Sequence, residues 1–155
     1  MANKYIHIYN KLINLTRNKN LYKGFKSQDT VSDRLIFFLL HFAFFLNIFK
    51  NDKNRIILQE IYDFIFRQIE LSIREIGYGD QSINKKMKDY LNLFHSMIDK
   101  VHFWNNHSEE SKLLILANFL NDEADHLYLY RYFDEFRKEL SNNTLNSFIK
   151  GVVKQ

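Results

Sequence analysis

From residue 35 to 49 the chain is apolar on every side. Leu35-Ile36-Phe37-Phe38-Leu39-Leu40-His41-Phe42-Ala43-Phe44-Phe45-Leu46-Asn47-Ile48-Phe49 lies between Arg34 and Lys50 and holds 15 residues. A bilayer span needs about 20 apolar residues, so this run predicts the central buried helix of a helical protein. The competing reading is an element that lies against a membrane or accepts a hydrophobic client.

Flanking segments carry one-sided stripes at steps of three and four, the spacing of a single helix face. Tyr5, Ile8, Tyr9, Leu12, Ile13 and Thr16 form one, predicting a helix over residues 3–17. A polar loop at 18–20 and a short segment to Gln28 follow. Asp29 or Thr30 can then cap the central helix. Ile57, Ile61, Phe64, Ile65, Ile69, Ile73 and Ile76 mark a third helix. Asp52 is its candidate cap, and Gly77 is suited to the left-handed position that stops it. Its polar side offers Asp63 with Arg67 and Glu70 with Arg74, acid before base at the favourable spacing of four.

Gly79 supplies a second permissive position, and Asp80 or Ser82 can cap a fourth helix to about residue 104. Ile83, Met87, Leu91, Phe94, Ile98 and Val101 point inward on it. Ser108 caps a fifth helix to about 120, a sixth runs from about 122 to 140, and a weaker one follows Asn143. No segment has a strand pattern. The expectation is an all-α fold, a single compact domain over 1–155 with about six to seven helices.

Composition sharpens this picture. The 155 residues contain no Pro and only 4 Gly, and an all-β domain needs far more turn punctuation. The absence of Cys excludes disulfides, thiol nucleophiles and cysteine-ligated metal sites. Net charge is +4 and unevenly placed. Residues 1–28 hold Lys4, Lys11, Arg17, Lys19, Lys23 and Lys26 and no acid. Such an arm suits an anionic partner such as ribosomal RNA or anionic lipid, or simply a solvated face. It is rich in Lys and Asn and not in Arg and Ser, so it is not read as a transit peptide.

Catalytic signatures are incomplete. A di-iron bundle needs two Glu-x-x-His motifs plus two further Glu. The chain offers Glu123 with His126 once, and Asp99 with His102 as an imperfect second copy. These are read as helix flanks. There is no G-x-S-x-G, no phosphate-binding Gly-rich loop and no His-Glu-x-x-His. His41 is a lone polar group in an apolar run, the pattern of a hydrogen-bonded core histidine. Lys85, Lys86 and Lys88 sit near a helix start, where cations are disfavoured.

The stretch Arg74-Glu75-Ile76-Gly77-Tyr78-Gly79-Asp80-Gln81-Ser82-Ile83-Asn84-Lys85-Lys86-Met87-Lys88 resembles the signature of the ubiquinol–cytochrome c chaperone family, roughly R-E-x-G-x-G-D-x-x-V-x-K-x-x-K. Asp29-Thr30, Asp33-Arg34-Leu35 and Leu40-His41 resemble the family's D-T-x-x-x-R-F and L-H elements. Asp63, Glu70 and Phe94 also fall where similar residues are expected, and the resemblance covers about residues 5–120. The chain departs from the family at Ser27-Gln28, where a Pro is usual, and at Phe94-His95-Ser96-Met97, where F-Y-G-R is common.

The resemblance implies a non-catalytic helper of the respiratory bc1 complex, without cofactor, that holds newly made cytochrome b until assembly. It implies a partner surface formed or braced by Asp63, Glu70, Arg74, Glu75, Gly77, Gly79 and Asp80, with Lys85, Lys86, Lys88, Arg34 and His41. Arg74 and Glu75 are equally readable as a salt-bridge pair that fixes the turn. Contact with the ribosome near the tunnel exit and peripheral contact with the inner membrane are expected, and contact with DNA is not. The expected location is the bacterial cytoplasm at the inner membrane, ahead of a mitochondrial matrix. The alternatives are a basic helical module for RNA or membrane without a specific client, and a metal-dependent enzyme using His102 and His126.

Overall fold

The computed structural model describes residues 4–25 and 31–153. Seven α-helices follow in order: α1 (Ile6–Thr16), α2 (Val31–Phe49), α3 (Arg55–Ile76), α4 (Asp80–His102), α5 (Glu109–Phe119), α6 (His126–Ser141) and α7 (Leu145–Lys150). Short 3-10 turns at Lys19–Tyr22, Asp52–Asn54 and Trp104–Asn106 link them. No strand occurs among the described residues. The fold is all-α. Asp29 and Thr30, the cap candidates for α2, lie outside the described residues.

The apolar run is the axis of the fold. α2 touches α1, α4 and α6, and every residue from 37 to 45 is buried. At 19 residues it is longer than the run that predicts it, and by length and composition alone it could cross a membrane. Here it serves as the core helix. Its phenylalanines stack outward in all directions: Phe42 lies flat on Phe94 of α4, and Phe44 lies flat on Phe133 of α6 and edge-on to Trp104. Aromatic pairs add about 0.5–1.5 kcal/mol each beyond area burial, so an aromatic-rich helix with neighbours on all sides is well anchored.

Tyr5, Ile8, Leu12 and Thr16 are buried as the α1 stripe requires, with Tyr9 and Ile13 half-buried. On α3 the buried set is Leu58, Ile61, Ile65, Phe66, Ile69 and Ile73. Ile57 and Phe64 sit at its margin, and Ile76 is half-exposed.

The turns show how local chemistry sets the helix ends. The turn into α3 is closed by asparagines and not by Asp52. The Asn51 side chain accepts from the Asn54 backbone N–H at 2.8 Å, and Asn54 Nδ2 donates to the Phe49 carbonyl at 2.8 Å. Asp52 stays exposed in the 3-10 turn. At the start of α4 the N-cap is Gly79 without any side-chain cap. Asp80 is already helical, and its carboxylate is taken by Arg74.

Gly79 has φ of −71°, an ordinary conformation for any residue, so its expected permissive role is not used. α6 begins at His126 and not at 122. An Asn121 turn accepts the Glu123 N–H at 2.8 Å, and Asp125 then caps the helix through the Tyr128 N–H at 3.1 Å.

Gly77 ends α3 with φ of +103° and its N–H on the Arg74 carbonyl. A Cβ built there meets nothing within 4 Å, so the constraint is conformational alone. Gly77→Val is therefore expected to cost on the order of 1–3 kcal/mol. Thermal unfolding indistinguishable from the parent would refute this.

Candidate functional site

The corner between α3 and α4 is organised by one guanidinium. Arg74 Nη1 donates to Asp80 Oδ1 at 2.9 Å, and its Nε lies 3.6 Å from Glu70 Oε2 one turn back. Both carboxylates favour the charged guanidinium, the Asp80 hydrogen bond most, which raises the Arg74 pKa above its ordinary value. The arginine thus ties the end of α3 to the start of α4 across the Gly77 turn. Glu75, the other candidate partner, is exposed and takes no part in this bridge. Next to it Lys86 lies over the exposed Tyr78 ring, 4.5 Å from its centroid. Lys85 and Lys88 are exposed on the first turns of α4.

At the foot of this corner an open apolar groove of about 340 Å³ runs between α1, the start of α2 and the last turns of α3. Ile13, Phe38, Ile69 and Ile73 line it, Val31 and Ile76 stand half-exposed at its edge, and Arg17 and Arg34 frame it. The groove explains why Arg34, forty residues before the motif in sequence, belongs with it in space: both Arg34 and Ile76 line the same opening. The residues inside it, Tyr9 and Ile13 above all, enter the sequence reading only as members of the α1 stripe.

The remaining predicted residues fall elsewhere. Asp63 is exposed on α3 and accepts from the Gln59 side-chain amide at 3.0 Å in place of Arg67. His41 lies in the core with no exposed surface. Its Nδ1 is 2.6 Å from the Phe37 carbonyl and its Nε2 is 2.6 Å from the Tyr132 hydroxyl.

A carbonyl can only accept, so Nδ1 carries the proton and the tyrosine O–H donates to Nε2. The ring is neutral, and burial pushes its pKa down to about 4 against the opposing carbonyl bond. In this conformation His41 pins α2 to α6 and does not reach a partner. No group of three or more metal-ligating side chains clusters among the described residues.

A family model described as "Ubiquinol-cytochrome C chaperone" matches residues 23–101. That is half of the chain, and it contains α2, α3, the corner and nearly all of α4. The chain belongs to this chaperone family. The match is narrower than the resemblance over 5–120 and leaves α1 and α5 to α7 outside it.

Among solved structures, the chain is similar to one described as the crystal structure of the Cbp3 homolog from Brucella abortus, with a TM-score of 0.78 and 23% identity over 99% of this chain and 90% of that one. At that identity the likeness establishes the fold, and it extends the shared fold beyond the matched segment. No curated protein sequence matches the chain.

Proposed function

We propose that this chaperone holds newly made or unassembled cytochrome b and promotes assembly of the respiratory bc1 complex, without turnover of its own. Membership of the chaperone family supports the general role. The groove supports the client class: an opening with an apolar floor and half-exposed Val31 and Ile76 at its edge suits an apolar helix awaiting its membrane. Burying the two edge side chains against a client is favourable by the ordinary hydrophobic effect. The arginine-braced corner holds the α3 edge of the groove in place.

Introducing charge at the edge tests this reading. The Val31→Glu, Ile76→Glu double variant should keep the parent's thermal stability within a few degrees, because both sites are half-exposed and surface changes cost little. Its capture of nascent cytochrome b should fall by about tenfold or more, since two carboxylates would be desolvated on binding. In cells, deleting the gene should lower assembled bc1 complex with cytochrome b transcript intact. Equal bc1 content in deletion strain and parent would overturn the client assignment.

A contact with the ribosome or the inner membrane through the acid-free basic arm of residues 1–28 completes the reading, at the cytoplasmic side of a bacterial inner membrane. Replacing Lys4, Lys11 and Lys19 should weaken that association, most at low salt where charge attraction is least screened. An unchanged association across salt concentrations would remove the arm from the mechanism.

A further inference from the structure

On the opposite half of α3 lies a larger groove, about 680 Å³, between the end of α2, the start of α3 and the end of α4. Its floor is apolar, from Leu46, Leu58 and Ile98, and its rim is cationic, from Lys50 and Arg55, with His95 and His102 on the α4 side. Asp52 also lines it. The segment from 50 to 55 holds Lys50, Lys53 and Arg55 against that one acid. Among the described residues none of Lys50, Lys53 and Arg55 makes an ion pair. These charges are therefore not spent on internal bridges.

Two large apolar side chains next in sequence to residues of this rim stand in solvent. Ile56, next to Arg55, is 68% exposed, and Phe103, next to His102, is 55% exposed. The Phe103 ring packs edge-on against the His102 ring at 4.4 Å, so it adjoins the groove. Unpaired cations beside exposed aliphatic and aromatic side chains, around an apolar floor, are the elements of an interfacial lipid site. The cations meet headgroup phosphates, and the apolar groups enter the acyl boundary. A water-soluble anion would use the cations but leave Ile56 and Phe103 in water.

We propose that this end of the molecule, where α2 ends, α3 begins and α4 ends, docks on a bilayer of anionic phospholipid. The groove between Lys50, Arg55 and Ile98 receives one lipid, and Ile56 and Phe103 insert beside it. This extends the membrane contact proposed above to a specific surface. It is independent of which client the chaperone holds, and it places the lipid site about 20 Å along α3 from the client groove.

The test is flotation of the purified full-length chain with vesicles of phosphatidylcholine alone and of phosphatidylcholine mixed with phosphatidylglycerol. Binding to the mixed vesicles and not to the neutral ones is expected. Lys50→Glu with Arg55→Glu should weaken it by about tenfold or more, given the contribution of each basic residue at an anionic surface. Ile56→Ser with Phe103→Ser should weaken it comparably at physiological salt.

Glycerol 3-phosphate, a soluble headgroup, should compete poorly because it offers nothing to the apolar pair. Circular dichroism and melting curves check that each variant is folded, and all four positions are exposed. Three outcomes overturn the proposal. Vesicle binding that depends on Lys4, Lys11 and Lys19 but is indifferent to both groove variants would leave only the basic arm. Loss of binding in the charge variant with none in the apolar variant would make the groove a plain polyanion patch. Full competition by glycerol 3-phosphate would make it a phosphate site.

Discussion

Acidification from pH 7 to about pH 4 is expected to cost the native state about 3 kcal/mol through His41 alone. In the unfolded chain this histidine titrates near 6.5, and in the core its pKa falls to about 4. Between those values the unfolded chain takes up a proton that the folded protein excludes. The contribution is fully present above about pH 6.5 and is lost as pH falls toward 4. At about 1.36 kcal/mol per pH unit, the separation gives the stated magnitude. Because no part of the side chain reaches solvent, little screening reduces it.

Denaturant unfolding at a series of pH values, for the parent and for His41→Gln, isolates the effect. All other titratable groups are common to both proteins, so the difference between the two curves reports His41. The parent's loss of stability between pH 6.5 and 4 should exceed the variant's by roughly that amount, while at pH 7 the variant should be the less stable one. Tyr132→Phe should cost about 1–3 kcal/mol at neutral pH by leaving Nε2 unpaired in the core. Parallel pH curves for parent and His41→Gln would show that the ring is not the buried neutral pin described above.

The buried role of His41 was partly legible. A polar residue in the middle of an apolar run must be hydrogen-bonded if it is buried, and the run is plain in the sequence. Tyr132 was not legible as its partner, because the two are 91 positions apart and no local pattern links α2 to α6. The same divide runs through the site. The α3/α4 corner could be read from Gly77 and its flanking charges, since a helix stop and an i,i+4 pair are local. The groove could not, because it forms only when α1, α2 and α3 meet.

Errors at helix starts have one cause. Asp52 and Asp80 were both eligible caps by type, yet neither caps: Asn51 and Asn54 close the turn into α3, and the Arg74 bridge claims Asp80. Sequence shows which side chains can cap. Which one does is decided by the competing partner that the fold brings near.

Among the glycines, Gly24 carries the strictest demand, and its substitution is expected to be the more damaging by a clear margin. Its φ is +86°, as unfavourable for a side chain as that of Gly77. The difference is space. A Cβ at Gly24 would sit 2.4 Å from the backbone carbonyl oxygen of Glu123, far inside contact distance, and a backbone atom cannot swing aside as a side chain can. The chain after the Lys19–Tyr22 turn passes directly against the loop that leads into α6. Phe25, next to Gly24, packs edge-on to Tyr22 and against Phe37 of α2, so a displaced Gly24 drags core aromatics with it.

Gly24→Ala therefore adds overpacking to the conformational strain, about 3 kcal/mol or more in all, against about 1 kcal/mol for Gly77→Ala, where the new methyl meets open space. For a chain of this length about 1 kcal/mol moves the melting temperature by roughly 2–4 °C. The two alanine variants, made in the same background, should thus melt several degrees apart, with Gly24→Ala the lower. Lys23, which lies over the Tyr128 ring of α6 at 5.1 Å, should lose that contact in the Gly24 variant, and proteolysis should nick this stretch first. Equal melting temperatures for the two variants would mean that the close approach between Gly24 and Glu123 does not hold in solution.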